Sequence, residues 1–414
     1  MPTPKKLHRM LAALAFGLLA ALPSSAELVY NEVYNYYIHL PHGWELMDAA
    51  RADHVSFSDV SGEIAVQVVS YPGERFGSAS EIAGFISDGL SAEVEPAPFS
   101  YAGRDAAIAD VSFQAGSTAV RGYQIYINGA ETDFLILSSA PVARYEAAHD
   151  FLLSTLDSFA PGAESRSLPG PVSHFFDQPG VNIGDEPQRI EIPAGRLVPD
   201  AQGTIPMTVD EADLDAAQVT IDREARVLSV YEAARADRET FSEAWRRYYQ
   251  AVYRDSFARL LPLTRDLRAR FEEAMASGAM TREEIPQRLL YWFQDFTYAR
   301  PGGISDLLAP EAAVFTQSGD CDSLALAYAI VLHQLGFDAI LMVSPEFGHA
   351  MAGVDLSPEV VDGRPEVSGG AARFDYAGRR WLVAELTAQV DLGNIEARMA
   401  DASKWIGIPF NPEP

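Results

Sequence analysis

Three side chains in the C-terminal quarter of the chain have the types and order that acyl-transfer chemistry needs. Cys321 is the single cysteine among 414 residues, and it follows Gly319-Asp320 at the front of "CDSLALAYAIVLHQLGF". His349 opens "HAMAGV" and Glu385 sits in "WLVAEL". A thiol attacks a carbonyl as its thiolate, so it needs a base to take the proton. The base in turn needs an acceptor that fixes its tautomer. Cysteine, histidine and carboxylate would fill those three roles if the fold brought them together.

The elements that must position them can be read locally. Leu324, Ala327, Tyr328, Val331 and Leu335 repeat at helical spacing, and Leu326, Ala329 and Ile330 widen the stripe, so the helix is expected to be buried on most sides. Asp320 is an N-cap residue and Gly336 a C-terminal stop. Cys321 therefore falls in the first helical turn, where unpaired N–H groups and the positive end of the helix dipole favour a thiolate. Asp320 and Asp322 oppose this, but on the surface side and screened, so the expectation is a thiol pKa below its ordinary value. "DAILMVS" (338–344) and "GHAMAGVDL" read as consecutive strands, and "ARFDYAGRRWLVAEL" as a hairpin turning at Ala377-Gly378. His349, Met351 and Gly353 share one strand face, and Trp381, Val383 and Glu385 share another. Two neighbouring antiparallel strands can then set His349 beside Glu385, facing the start of the helix.

These words in this order resemble the transglutaminase-like superfamily of papain-like cysteine enzymes. "SGDCDSLALAYAIVLHQLGFDAILMVS" is similar to its nucleophile helix and following strand, "GHAMAGV" to its histidine strand and "RRWLVAELTA" to its carboxylate strand. "LLYWFQDFTYARP" and "PEAAVFTQSGDC" resemble its exported bacterial members, and the likeness spans roughly 280–392. It implies a Cys321–His349–Glu385 triad, with Cys321 attacking an amide or peptide carbonyl. The Cys321 backbone N–H and the Gln294 side chain are implied as oxyanion donors. Two departures stand out: the superfamily usually carries an aromatic residue at the position of Met351, and Asp at the position of Glu385. Asp391 and Asp375 are the alternative carboxylates. His333 lies twelve residues after Cys321, ~18 Å along the helix axis, and is expected at the surface or an edge. No cofactor is expected. Related exported proteases use calcium, for which Asp355 and Asp362 would be the candidates, although they lack the alternating ligand pattern of an EF-hand.

The rest of the chain supplies context. Residues 1–26 combine Lys5, Lys6 and Arg9, an apolar run from Met10 to Leu22 and small residues at Ser24-Ser25-Ala26. This is the pattern of a secretory signal peptide cut at Ala26/Glu27, so the expected location is periplasmic or secreted, with no membrane insertion after cleavage. The full chain has a net charge of −27. Losing three cations leaves 28 Lys and Arg against 58 Asp and Glu, or −30, which argues against nucleic acid and anionic membranes as partners. With one cysteine, an exported chain cannot close an internal disulfide.

Residues 27–160 read as alternating strands with helices near 78–93 and 142–159. "IHLPHGWEL", "YAGRDAAIADVSF" and "FLLSTLDSF" resemble the PsbP-like α/β sandwich. Members of that fold bind partners, so this unit is expected to recruit a partner or the substrate. His39, His42, His54 and His149 fall here without metal-site spacing. Residues 161–222 read as a linker with two short strands. Residues 223–414 read as a helical segment, split at Pro262, plus the catalytic core. The aromatic stripe Trp245, Tyr248, Tyr249, Tyr253 and Phe257 reads as packing.

The expected class is α+β: an N-terminal α/β sandwich, then a helix packed on an antiparallel sheet. The expected function is an exported cysteine peptidase or amidase acting on a protein or peptide. The alternatives are a cross-linking transglutaminase and a catalytically inactive interaction or scaffold protein.

Overall fold

A computed structural model describes residues 28–90, 94–177, 188–209, 213–300, 302–356 and 371–410. Residues 1–26, expected to be a signal peptide, and Asp362 lie outside them. The protein is a mixed α/β chain forming two compact units. One comprises Met1–Pro179 with Val227–Arg247, the other Gly180–Arg226 with Tyr248–Pro412.

The first unit is built on a seven-stranded antiparallel sheet. Its spatial order is Glu45–Arg51, His54–Ser58, Ala65–Pro72, Thr132–Pro141, Thr118–Asn128, Arg104–Ala115 and Ala97–Tyr101. Period-two alternation sends side chains to both faces, and both faces are covered. Ala107, Ala109, Val111, Tyr126, Leu135 and Leu137 pack under the helix Ala79–Leu90. Ile108, Ile125, Ile127, Phe134 and Ile136 meet Tyr36 and Ile38 of a short strand and Leu156 of the helix Tyr145–Asp157. The span expected as a linker (161–222) is largely built into the units. Val172, on the helix Pro171–Asp177, is buried in this core, and Asp157 accepts from the Ser173 N–H (2.9 Å) and hydroxyl (2.5 Å). Farther on, Gln188–Pro193 and Thr204–Val209 form a hairpin of the second unit, tied by the Thr208 N–H to Asp266 (2.9 Å). The stretch 227–247 belongs with the first unit because Tyr231 donates to the His42 carbonyl (2.9 Å) and Arg247 to the Ser154 hydroxyl (2.8 Å).

The second unit centres on a five-stranded antiparallel sheet, ordered Arg373–Tyr376, Arg379–Ala384, His349–Val354, Ala339–Ser344, Ile406–Pro409. The helix Cys321–Gln334 packs on its His349–Val354 and Ala339–Ser344 strands. Nearly every residue of that helix is buried, as its all-round apolar sequence requires. Asp320 caps it, accepting from the Ser323 N–H (2.9 Å) and hydroxyl (2.7 Å). Gly336, at φ +83°, ends it in a conformation that suits glycine. The helical segment divides at Leu260 into the helices Arg238–Arg259 and Leu261–Ala276, with Pro262 in the first turn of the second.

Candidate active site

The strand register explains how an imidazole and a carboxylate meet. Ala352 pairs with Ala384 across the two strands. One step on, that register sets Glu385 opposite Met351 and diagonal to His349, on the same face. A diagonal pair is ~7–8 Å apart at the backbone, within reach of long side chains. The extra methylene of Glu over Asp serves this reach: His349 Nε2 lies 2.7 Å from Glu385 Oε2. Since a carboxylate only accepts, Nε2 carries a proton, and in the neutral ring Nδ1 is the nitrogen with the lone pair. The other Glu385 oxygen accepts from the Thr387 N–H (2.8 Å) and hydroxyl (2.7 Å). Burial alone would raise the Glu385 pKa. The hydrogen bond and charge of His349, with the two Thr387 bonds, outweigh it and hold Glu385 below the usual range. The indole of Trp405 stands against the imidazole at 6.3 Å, supplying an aromatic neighbour that Met351 does not.

Cys321 sits where the sequence places it, in the first turn of its helix, but its surroundings correct the expected thiolate. The sulfur is buried, 3% exposed. Its thiol donates to Asp322 Oδ1 at 3.4 Å. Burial pushes the thiol pKa up, and Asp322 and Asp320 push it further. The Ala350 N–H, next to His349 in the chain, works the other way. Asp320 and Asp322 are not the screened surface charges expected. Asp320 is buried, while Asp322 is half-buried and accepts the Tyr249 hydroxyl on Oδ2 at 2.7 Å. Burial raises both carboxyl groups, and the hydrogen bonds of Tyr249 and Cys321 oppose this at Asp322.

Gln294 is also corrected. Both N–H groups of its amide are in use, donating to the carbonyls of Glu385 and Val390 at 2.8 Å each. It clamps the segment that carries the carboxylate, and no free donor is left for an oxyanion. His333 is a packing bridge and not a surface group. The Ala339 N–H donates to its Nε2 (3.0 Å), so Nδ1–H donates to the Tyr253 hydroxyl (2.9 Å), and burial lowers its pKa.

The alternative carboxylates are engaged elsewhere: Asp391 accepts the Tyr291 hydroxyl (2.6 Å), and Asp375 faces Arg380 at 3.5 Å. Asp355 pairs with Arg379 at 3.3 Å. In the first unit His42 Nε2 meets the Thr240 hydroxyl (3.0 Å), and His149 the Tyr123 hydroxyl (3.1 Å). Among the described residues no group of three His, Cys, Asp or Glu is arranged to hold a metal ion.

Four side chains at the site escaped sequence reasoning. Thr387, two residues after Glu385, follows a recognisable local hydroxyl pattern. Asp322 had been assigned to solvent and Tyr249 to a packing stripe. Trp405 lies too far along the chain for any local signal.

Comparisons with known proteins place the chain only coarsely. No family model matches it. No curated protein matches it either. Among solved structures it is similar to cyanobacterial PsbP (CyanoP) from Synechocystis sp. PCC 6803, at 13% identity, covering 35% of this chain and 98% of that one, with a TM-score of 0.29. It is also similar to LpqN, involved in cell envelope biogenesis of Mycobacterium tuberculosis, at 9% identity over 30% of this chain and 82% of that one, with a TM-score of 0.21. A Bacteroides thetaiotaomicron VPI-5482 structure aligns over 92% of this chain and 94% of its own at 9% identity and a TM-score of 0.24. Likenesses this weak carry no functional argument. Among the described residues no helix is long and apolar enough to cross a membrane.

Proposed function

We propose that the chain is an exported cysteine hydrolase of the transglutaminase-like type, acting on a peptide or side-chain amide. The observation that carries this is the His349–Glu385 pair at 2.7 Å, held by Thr387, on a strand that packs against the helix begun by Cys321. In this reading the resting thiol turns from Asp322 to the Nδ1 lone pair of His349. The imidazole takes the proton as sulfur attacks the carbonyl carbon, and Glu385 balances the imidazolium. The Cys321 backbone N–H, free in the first turn, supports the developing oxyanion. The imidazolium then gives its proton to the leaving amine, and water or a second amine cleaves the thioester. Hydrolysis and cross-linking differ only in that last nucleophile.

The test is labelling by a thiol-reactive amide at neutral pH, followed by intact mass. Labelling of Cys321 that falls sharply in His349→Ala supports the hydrolase. A second reading, a catalytically silent interaction protein, is favoured by the burial of the sulfur and its raised pKa. Equal, slow labelling of both proteins would establish that reading instead. Cys321→Ala protein recovered from the periplasm with a bound peptide would identify the substrate.

A further inference from the structure

A short exposed strand lies against the residues that lead into Cys321. Thr297–Tyr298 runs parallel to Ser318–Gly319, the residues just before Asp320-Cys321, with Tyr298 paired to Gly319. The Thr297 and Ala299 N–H groups donate to the Gln317 and Gly319 carbonyls at 2.9 and 3.0 Å, so this strand is fixed against the helix start. Gly319 in turn packs closely on the helix: a Cβ there would lie 3.1 Å from the Ser323 Cβ and 3.2 Å from Leu324. Two large side chains, one on the strand and one two residues beyond it, are exposed. Tyr298 is 52% exposed, and Arg300 donates from Nε to the Tyr298 hydroxyl at 3.1 Å. Its terminal nitrogens have no carboxylate partner among the described residues.

An unpaired guanidinium is conspicuous here. The chain has 31 cations to 58 anions, so a surface arginine has abundant acidic candidates for pairing. The carboxylates electrostatically coupled to this one are Asp320 and Asp322, and both are already engaged, with Ser323 and with Tyr249 and Cys321. The charges that Arg300 senses include those of Cys321 and Asp320, which places it within electrostatic reach of the reacting sulfur. A guanidinium fork with its two terminal nitrogens free matches the two oxygens of a carboxylate.

Resting on the reading of Cys321 as a nucleophile, we infer that Arg300, steadied by Tyr298, is a specificity residue that receives a carboxylate of the substrate beside the scissile carbonyl. The substrate class is therefore an acidic peptide. Because the chain as a whole repels anions, the selectivity is local to this lip and depends on one side chain.

Two alkylating probes isolate that charge. Iodoacetate and iodoacetamide form the same S–C bond at Cys321 and release iodide, but only iodoacetate carries a carboxylate. Their second-order rates are measured by intact mass on the wild type, Arg300→Gln and Arg300→Lys, at low and high salt. Arg300→Gln lowers the iodoacetate-to-iodoacetamide rate ratio about threefold to fivefold, the size of an exposed ion pair. Arg300→Lys retains part of the ratio, and salt erodes the wild-type preference. An unchanged ratio in all three proteins, with Cys321 labelled in each, overturns the inference and leaves the nucleophile intact. Failure of either probe to label Cys321 in any of them refutes the nucleophile itself, and the inference with it.

Discussion

Replacing Asp322 with Asn tests the electrostatics of the site most directly. As a carboxylate, Asp322 receives two donors, the Tyr249 hydroxyl at 2.7 Å and the Cys321 thiol at 3.4 Å, and its charge lies beside the sulfur. A charge at 3.4 Å opposes thiolate formation by about 5 kcal/mol at an effective dielectric of ~20. Asp322 is half-buried, and solvent screening cuts this to about 2.5 kcal/mol. At ~1.4 kcal/mol per decade, Asp322→Asn then holds roughly 70-fold more thiolate at pH 7. A thiolate of lower pKa is also a weaker nucleophile, with a Brønsted slope of ~0.45, which returns a factor of about 7. The net gain in iodoacetamide rate is about tenfold. The assay is labelling of Cys321 between pH 6 and 10, read by intact mass. Across this range the variant's rate lies about tenfold above the wild type's at each pH. A variant profile superimposed on the wild type would refute the reasoning, because the sulfur would then be governed by burial alone. Tyr249→Phe separates the hydrogen bond from the charge. It frees one carboxylate oxygen, leaves the charge in place and produces no such gain in rate.

Three further outcomes follow from the same coordinates. Glu385→Gln removes the charge that balances the imidazolium, so His349-dependent reactivity drops about 10³- to 10⁴-fold, measured on the substrate trapped by Cys321→Ala. Gln294→Ala breaks two 2.8 Å bonds to the Glu385 and Val390 carbonyls; stability falls by about 1–3 kcal/mol in urea titration, whereas a merely exposed glutamine would leave the midpoint unmoved. Glu311 is buried, and burial first, then the charge of Asp255, pushes its pKa up to about 7 despite Arg259 at 3.6 Å. The unfolded carboxyl titrates near 4.3, so between about pH 4.5 and 7 the folded state binds a proton that the unfolded state does not. Stability therefore falls as pH rises through that window, by roughly 3 kcal/mol at most, and Glu311→Gln flattens this part of the pH profile in urea titrations.

What the sequence disclosed and what it concealed divide along a physical line. The helix start at Asp320-Cys321, its stop at Gly336, the strand bearing His349 and the hairpin reaching toward Glu385 are local patterns. Each depends on a few neighbouring residues, and each appears in the structure. The face shared by His349 and Glu385 was legible for the same reason, since strand periodicity fixes which side chains point together. Dielectric environment is not local. Whether Asp322 faces water or protein depends on the Arg238–Arg259 helix, which presents Tyr249 from more than seventy positions upstream. The sign of the effect on the thiol pKa turned on that placement: with Asp322 solvated the helix start would win, but with Asp322 hydrogen-bonded beside the sulfur, burial and charge win. The same holds for Gln294, whose type fits an oxyanion donor but whose two N–H groups are claimed by carbonyls 91 and 96 residues downstream. In the proposed reading, a thiol held beside Asp322, with His349 paired to Glu385 on a strand packed against the same helix, is a site at rest, and its reactivity would depend on whatever draws the sulfur from Asp322 toward His349; a substrate carboxylate landing on Arg300 would bring the scissile carbonyl to that side.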